Sequence, residues 1–140
     1  MAGEVTSPVG GPAAVESSTL TLKVGPLAAP VLTRVTGALA AQAGLDMDRL
    51  NDARLVAEAL IAHAAAHAVD GQLRVAFEAA GGRLVIRLGP LAPGGAEGLR
   101  RDATFEGVGS ILEALADEVH DQAAADGEYL TVLFSGGGVR

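Results

Sequence analysis

Three short stretches of this chain place an apolar side chain at every second position, and that alternation constrains the fold more than any other feature. "TLTLKV" puts Leu20, Leu22 and Val24 on one face, "LRVAFE" puts Leu73, Val75 and Phe77 there, and "RLVIRL" does the same with Leu84, Ile86 and Leu88. A period of two residues is that of a β-strand with one buried face. The opposite face carries Arg74, Glu78, Arg83 and Arg87, which predicts a sheet covered on one side only. "AAGG" joins the second and third strands as a short hairpin loop, and "YLTVLF" is a strong final strand.

Helices are expected on the covered side. Pro26 and Pro30 favour a helix start, Gly44 suits the position just past its end, and Val31, Val35, Ala38, Leu39 and Gln42 follow helical spacing. Asp46 is a good N-cap for a second helix over 47–69, whose apolar stripe includes Leu50, Ala53, Ala57, Leu60, Ile61, Ala64 and Ala68. "GPLAPGGAEGLRRDATFEG" has no strong period and reads as a long glycine-rich loop of the kind that often carries function. A helix over 108–117 follows, with Ile111, Leu112, Leu115 and Ala116 apolar, then a strand near Val119 and a turn at "AAADGE". The order β-α-α-β-β-loop-α-β-β predicts an α+β two-layer sandwich, a mostly antiparallel mixed sheet with helices packed on one face. Residues 1–18 and 136–140 read as flexible tails around a single domain over 19–135.

Composition narrows the function. Hydrophobic residues make up 49% and charged residues 19% of the 140-residue chain, as in a globular domain and unlike a disordered one. The net charge of −7 and the lack of a Lys/Arg cluster exclude backbone-driven nucleic-acid binding, which needs a basic footprint. No cysteine is present for a disulfide or a thiolate metal site. The first residues lack the basic and apolar regions of a signal peptide, and no run approaches the ~18 apolar residues of a membrane span. The expectation is a soluble, cytoplasmic protein that contacts neither membrane nor nucleic acid.

The second helix holds the most suggestive stretch, "EALIAHAAAHA", residues 58–68. His63 and His67 have the i,i+4 spacing of a zinc pair, but Ala64 stands where such a motif has its glutamate, and a third ligand would have to come from His120 or Asp121. Both histidines are therefore read as edge residues of the buried stripe, with no metal expected. Glu58 is either a catalytic base or one half of an i,i+4 ion pair with Arg54. Leu27, Val31 and Leu32 form either a partner surface or core, and Arg100 and Arg101 read as solvated charges.

The order of elements and four local segments resemble the ATPase domain shared by gyrase, histidine kinases and anti-sigma-factor kinases (the GHKL or Bergerat fold). The closest likeness is to the actinobacterial anti-sigma regulatory, serine-kinase-like branch. The segments are 20–60 with its "GLDMDRLND", "GQLRVAFEAAGGRLVIRL", "GVGSILEALADEV" and "GEYLTVLF", so the resemblance spans 19–134. It implies a Mg-ATP site built from three motifs. In the first, E-x-x-x-N, Glu58 matches the Glu that orients the nucleophile, but Ala62 replaces the Mg²⁺-ligating Asn. His63 lies about 100° further round the helix and does not replace it. In the second, D-x-G-x-G, the adenine-binding Asp falls at Gly89 or Pro90, leaving only Gly94 and Gly95 as loop glycines. The third, a G-x-G before a helix, survives as Gly107, Gly109 and the following Ser110, which is either a phosphate cradle or a flexible helix start.

Three readings follow. The resemblance with lost motifs implies a non-catalytic regulator that binds a sigma factor or an anti-sigma antagonist and needs no cofactor. An intact but divergent site implies an ATP- and Mg-dependent serine kinase with Glu58 as its catalytic residue. The third is a dimeric binding module for some other partner. The family commonly dimerises, so a homodimer is expected with the first reading too.

Overall fold

The computed structural model describes residues 16–105 and 109–136. The alternating stretches become strands β1 (Glu16–Lys23), β2 (Gln72–Ala80), β3 (Arg83–Leu91) and β7 (Gly127–Ser135). With β6 (Glu118–Ala124) they form one sheet in the order β1-β2-β3-β7-β6. Every neighbouring pair is antiparallel, so the sheet is not mixed. Val75 faces Leu88 and Phe77 faces Ile86 across β2 and β3, while Ile86 faces Val132 across β3 and β7. This register puts all the inward apolar residues on one face.

Helices α1 (Ala28–Gln42), α2 (Met47–Ala64), α3 (Gly95–Asp102) and α4 (Ile111–Leu115) complete the fold, with a two-residue hairpin of β4 (Thr104–Phe105) and β5 (Gly109–Ser110). The architecture is the expected α+β two-layer sandwich. Its core sets Phe77, Phe134, Leu84 and Ile86 of the sheet with Leu32, Val56 and Leu60 of the helices, all essentially sealed from solvent. Each such side chain contributes about 1.5–3 kcal/mol of burial. Asp46 caps α2 as its sequence position requires, accepting the Arg49 amide at 2.9 Å. Gly44, at φ +86°, turns the chain between α1 and α2 in the left-handed region that favours glycine.

Several expectations change. The buried stripe of α1 is Ala28, Leu32, Thr36 and Ala40, one step round from the predicted one, with Val35 and Leu39 at its flank. Helix α2 stops at Ala64, five residues early, because Ala68 and Val69 leave it to bridge Leu91 and Gln72. The predicted long loop contains α3, and its first part is strand: β3 runs on through Gly89 and Pro90 to Leu91. The last helix is shorter than predicted, 111–115, and β1 already begins at Glu16, inside the expected tail.

Candidate functional site

Helix α2 and the segment after α3 enclose a cleft of about 250 Å³, lined by Leu55, Glu58, Ala62, His63, Thr104 and Ile111, among others. It is mostly apolar, with one carboxylate, one imidazole and one hydroxyl. Ala59 and Ala62 leave the space, since a longer side chain on that face of α2 would fill it. Glu58 and His63 are both exposed at its edge. Glu58 makes no ion pair with Arg54 or with any other described residue, so the expected i,i+4 pair does not form. The cleft thus sets the Glu58 carboxylate one turn before Ala62, whose methyl group offers a metal ion no oxygen ligand.

The two histidines part company. His67 lies in the turn after α2, where its Nε2–H donates to Asp102 Oδ2 at 2.9 Å. Its ring packs against α3, and a Cβ at Gly98 would come within 2.6 Å of it. A glycine at 98 thus lets α3 dock on the His67 ring, and the hydrogen bond from that ring holds the Asp102 carboxyl below its usual range. His120 is bonded to Glu118 and Asp121 to Arg100, so each has a partner other than the two histidines. No group of three His, Cys, Asp or Glu suited to a metal exists among the described residues.

The glycines predicted to receive phosphate are committed elsewhere or lie out of view. Gly94 is the N-cap of α3 at φ +78°, and its N–H donates to Glu128 Oε2 at 2.9 Å, while Ala96 N–H donates to Oε1 at 3.1 Å. These two amide bonds hold the Glu128 carboxyl below its ordinary range. A carboxylate from β7 thus occupies the amides that an anion would otherwise use at this helix start. Gly107 falls outside the described residues. Gly109 is exposed at φ +89° in β5, and Ser110 caps α4, its hydroxyl accepting the Glu113 amide at 3.4 Å.

Position 89, where the sequence resemblance would put an adenine-binding Asp, has no room for a side chain. A Cβ there would lie 2.5 Å from the Tyr129 ring and 2.7 Å from the Glu128 carbonyl oxygen. Tyr129 covers this glycine while Arg87 stacks on the ring at 4.0 Å. Arg74 donates to the phenol oxygen, which itself donates to Asp126 at 2.8 Å. Arg100 is not simply solvated: it grips Glu113 of α4 and Asp121 of β6 and closes the turn that holds the cleft's far wall. Arg101 is exposed, as expected. Leu32 is fully buried, whereas Leu27 and Val31 face solvent.

Sequence reasoning missed the roles of Glu128, Asp121 (weighed only as a metal ligand) and Asp102. For the first two a signal existed, because each occupies an inward position of its strand, in step with Leu130 and Val119. A charge on the apolar parity of a strand marks a specific polar partner on the covering layer.

None of the described helices is long and apolar enough to cross a membrane. No known family model matches the chain, and no curated protein matches it either.

Proposed function

We propose that the protein is a non-catalytic, cytoplasmic regulator of the anti-sigma-factor type, a binding module that engages a sigma factor or an anti-sigma antagonist without using ATP. One observation carries the reading. In the cleft beside α2, Glu58 faces the site, but Ala62 stands at the metal-ligand position of the motif that the sequence resembles. Phosphoryl transfer depends on a positioned Mg²⁺ and on electrostatic stabilisation, and the residues here do not fit that group. The blocked position 89 and the amides held by Glu128 support the same reading, since they deny an adenine carboxylate and an anion contact respectively. The choice of a sigma factor or its antagonist as partner rests on the resemblance of 19–134, because fold alone does not decide function.

The test has two arms. Titration calorimetry with ATP and Mg²⁺ is expected to show no binding; micromolar affinity would overturn the proposal and favour an active serine kinase. Pull-down from the native host with mass spectrometry is expected to recover a sigma factor or an antagonist. Recovery of neither removes the regulatory assignment.

A further inference from the structure

The helices cover one face of the sheet, and the other face concentrates positive charge on an acidic protein. Lys23 of β1, Arg74 of β2, and Arg83 and Arg87 of β3 point outward, on the parity opposite the buried Leu22, Leu73, Leu84 and Ile86. They are four of the chain's ten Lys and Arg residues, and the net charge is −7. Three of them lie on a diagonal. Lys23 faces Gln72, two residues before Arg74, and Arg87 faces Ala76, two residues after it. Diagonal neighbours on a sheet stand ~7–8 Å apart, so the stripe Lys23–Arg74–Arg87 is about 15 Å long.

Arg87 is held differently from the arginines that fasten the fold. Arg49, Arg74 and Arg100 each grip a carboxylate, whereas Arg87 has none among the described residues, Glu78 beside it included. Its guanidinium lies instead 4.0 Å from the centre of the Tyr129 ring, which is only 3% exposed beneath it. Stacking engages the flat face of a guanidinium and leaves its N–H edge free, so the fork is fixed in place with donors unused. Ala76 and Thr131, directly opposite Arg87 on the two neighbouring strands, are too short to cover it. Arg74 is anchored in the same network by Asp126 and the Tyr129 phenol oxygen. A fixed fork with a free edge suits a carboxylate taken by two parallel hydrogen bonds. An extended chain presents side chains to one side every ~6.4–6.8 Å, close to the diagonal step of the stripe. Glu78, Glu118 and Asp126 border the patch and repel a continuous phosphate backbone, while a few spaced carboxylates fit between them.

We propose that the open face of the sheet binds an extended acidic segment of another polypeptide, with one carboxylate gripped by Arg87 above Tyr129 and another at Lys23. This surface lies across the sheet from the cleft beside α2, and the proposal does not depend on the regulatory reading above.

Tyr129 is the single tyrosine of a chain without tryptophan, so intrinsic fluorescence reports on this site alone. The probe is a fluorescein-labelled peptide of alternating Glu and Ala, about twelve residues long. Its anisotropy, titrated with the full chain over about 1 μM to 1 mM at low salt, is expected to saturate and to fall back as salt is added. The unlabelled peptide should change the tyrosine emission over the same range. Arg87→Gln should weaken binding about tenfold or more, and Arg87→Lys, which keeps the charge without the fork, should lie between. Lys23→Gln, exposed on the edge strand, should weaken it about two- to fivefold, and Arg101→Gln on α3 should leave it unchanged. Circular dichroism and the urea midpoint establish that each variant is folded, and Lys23→Gln decides the matter if Arg87→Gln is not. Absence of saturable binding overturns the proposal. So does binding that leaves the tyrosine emission unchanged, or that survives both Arg87→Gln and Lys23→Gln. Tighter binding to an oligo-dT strand or to phosphatidylserine vesicles than to the peptide overturns it as well.

Discussion

Arg49 in the first turn of α2 donates from its Nη2 to Asp117 Oδ2 at 2.9 Å, joining the start of α2 to the turn before β6. The same guanidinium donates to Asp52, to the Leu115 carbonyl and to the Ser135 carbonyl, and it stacks 5.5 Å from the Phe134 ring centre. Asp117 in turn accepts the Ser135 amide and hydroxyl. One arginine, only 21% exposed, therefore fastens α2, α4 and the end of β7 together. Loss of hydrogen bonds to charged groups, at about 1.5–3 kcal/mol each before compensation by water, predicts that Arg49→Ala destabilises the fold by roughly 2–4 kcal/mol. Arg49→Lys should recover less than half, because an ammonium cannot reach separate acceptors with a planar fork. Urea unfolding at neutral pH measures both; a shift under about 0.5 kcal/mol for the alanine variant would contradict this role.

Gly89 makes a second prediction. Alanine in a strand interior normally gains about 0.5–1 kcal/mol over glycine. Here the added methyl group meets the Glu128 carbonyl, which is backbone and cannot swing aside, as well as the ring of Tyr129. Overpacking should win, and Gly89→Ala should cost about 1–3 kcal/mol. Gly89→Asp should be worse and should not create adenine binding. Gly25, with nothing within 4 Å of an added Cβ, is the control, and its alanine variant should unfold no earlier than the parent.

The contrast between these two positions shows what sequence pattern can and cannot carry. The four strands and the cap at Asp46 were legible because a period of two residues and a capping carboxylate are local signals. Helix α3 was not, since three glycines and two prolines around it mask an eight-residue helix whose buried side is Gly95, Ala96, Gly98 and Leu99. Those glycines read as loop chemistry, but Gly95 and Gly98 are close-approach residues against Leu91 and His67, a property that exists only in three dimensions. The α1 stripe was misplaced because Thr36 is polar yet fully buried. In the candidate site, the placing of Glu58 and Ala62 one turn apart on α2 followed from helical spacing, whereas the cap by Glu128 joins residues 34 positions apart and left only a parity signal.

Thr36 deserves its own test. Its hydroxyl oxygen is buried without a hydrogen-bond partner among the described residues, while Thr33 one turn earlier bonds the Ala29 carbonyl at 2.8 Å. An unsatisfied buried hydroxyl costs about 1–3 kcal/mol, and valine has nearly the same shape without that cost. Thr36→Val should therefore raise stability by about 1 kcal/mol. Thr36→Ser keeps the hydroxyl, removes the methyl group and should lower stability by a similar amount. Thermal unfolding of the two variants against the parent checks the order; a valine variant less stable than the parent would mean the hydroxyl has a role in the fold.

Acid sensitivity follows from carboxylates held below their ordinary range, Asp102 and three more. Partial burial opposes the charge on Asp117, but the Ser135 and Arg49 hydrogen bonds outweigh it. Asp126 is lowered first by its hydrogen bond from Arg74 and then by that from Tyr129. Glu128 is lowered by the Gly94 and Ala96 amides. A carboxyl whose folded-state value is depressed stabilises the fold at all pH above its unfolded value, about 3.9 for Asp and 4.3 for Glu, and loses that contribution as pH falls through the folded value. The urea midpoint should therefore stay nearly level from about pH 7 to 5.5 on account of these groups and drop below about pH 4. Glu128→Gln keeps one carbonyl acceptor for the α3 amides but carries no charge to lose. It should be less stable than the parent at neutral pH, and the gap should close as acid protonates Glu128 in the parent. A gap that stays constant down to about pH 2.5 would show that the charge on Glu128 contributes nothing to seating α3.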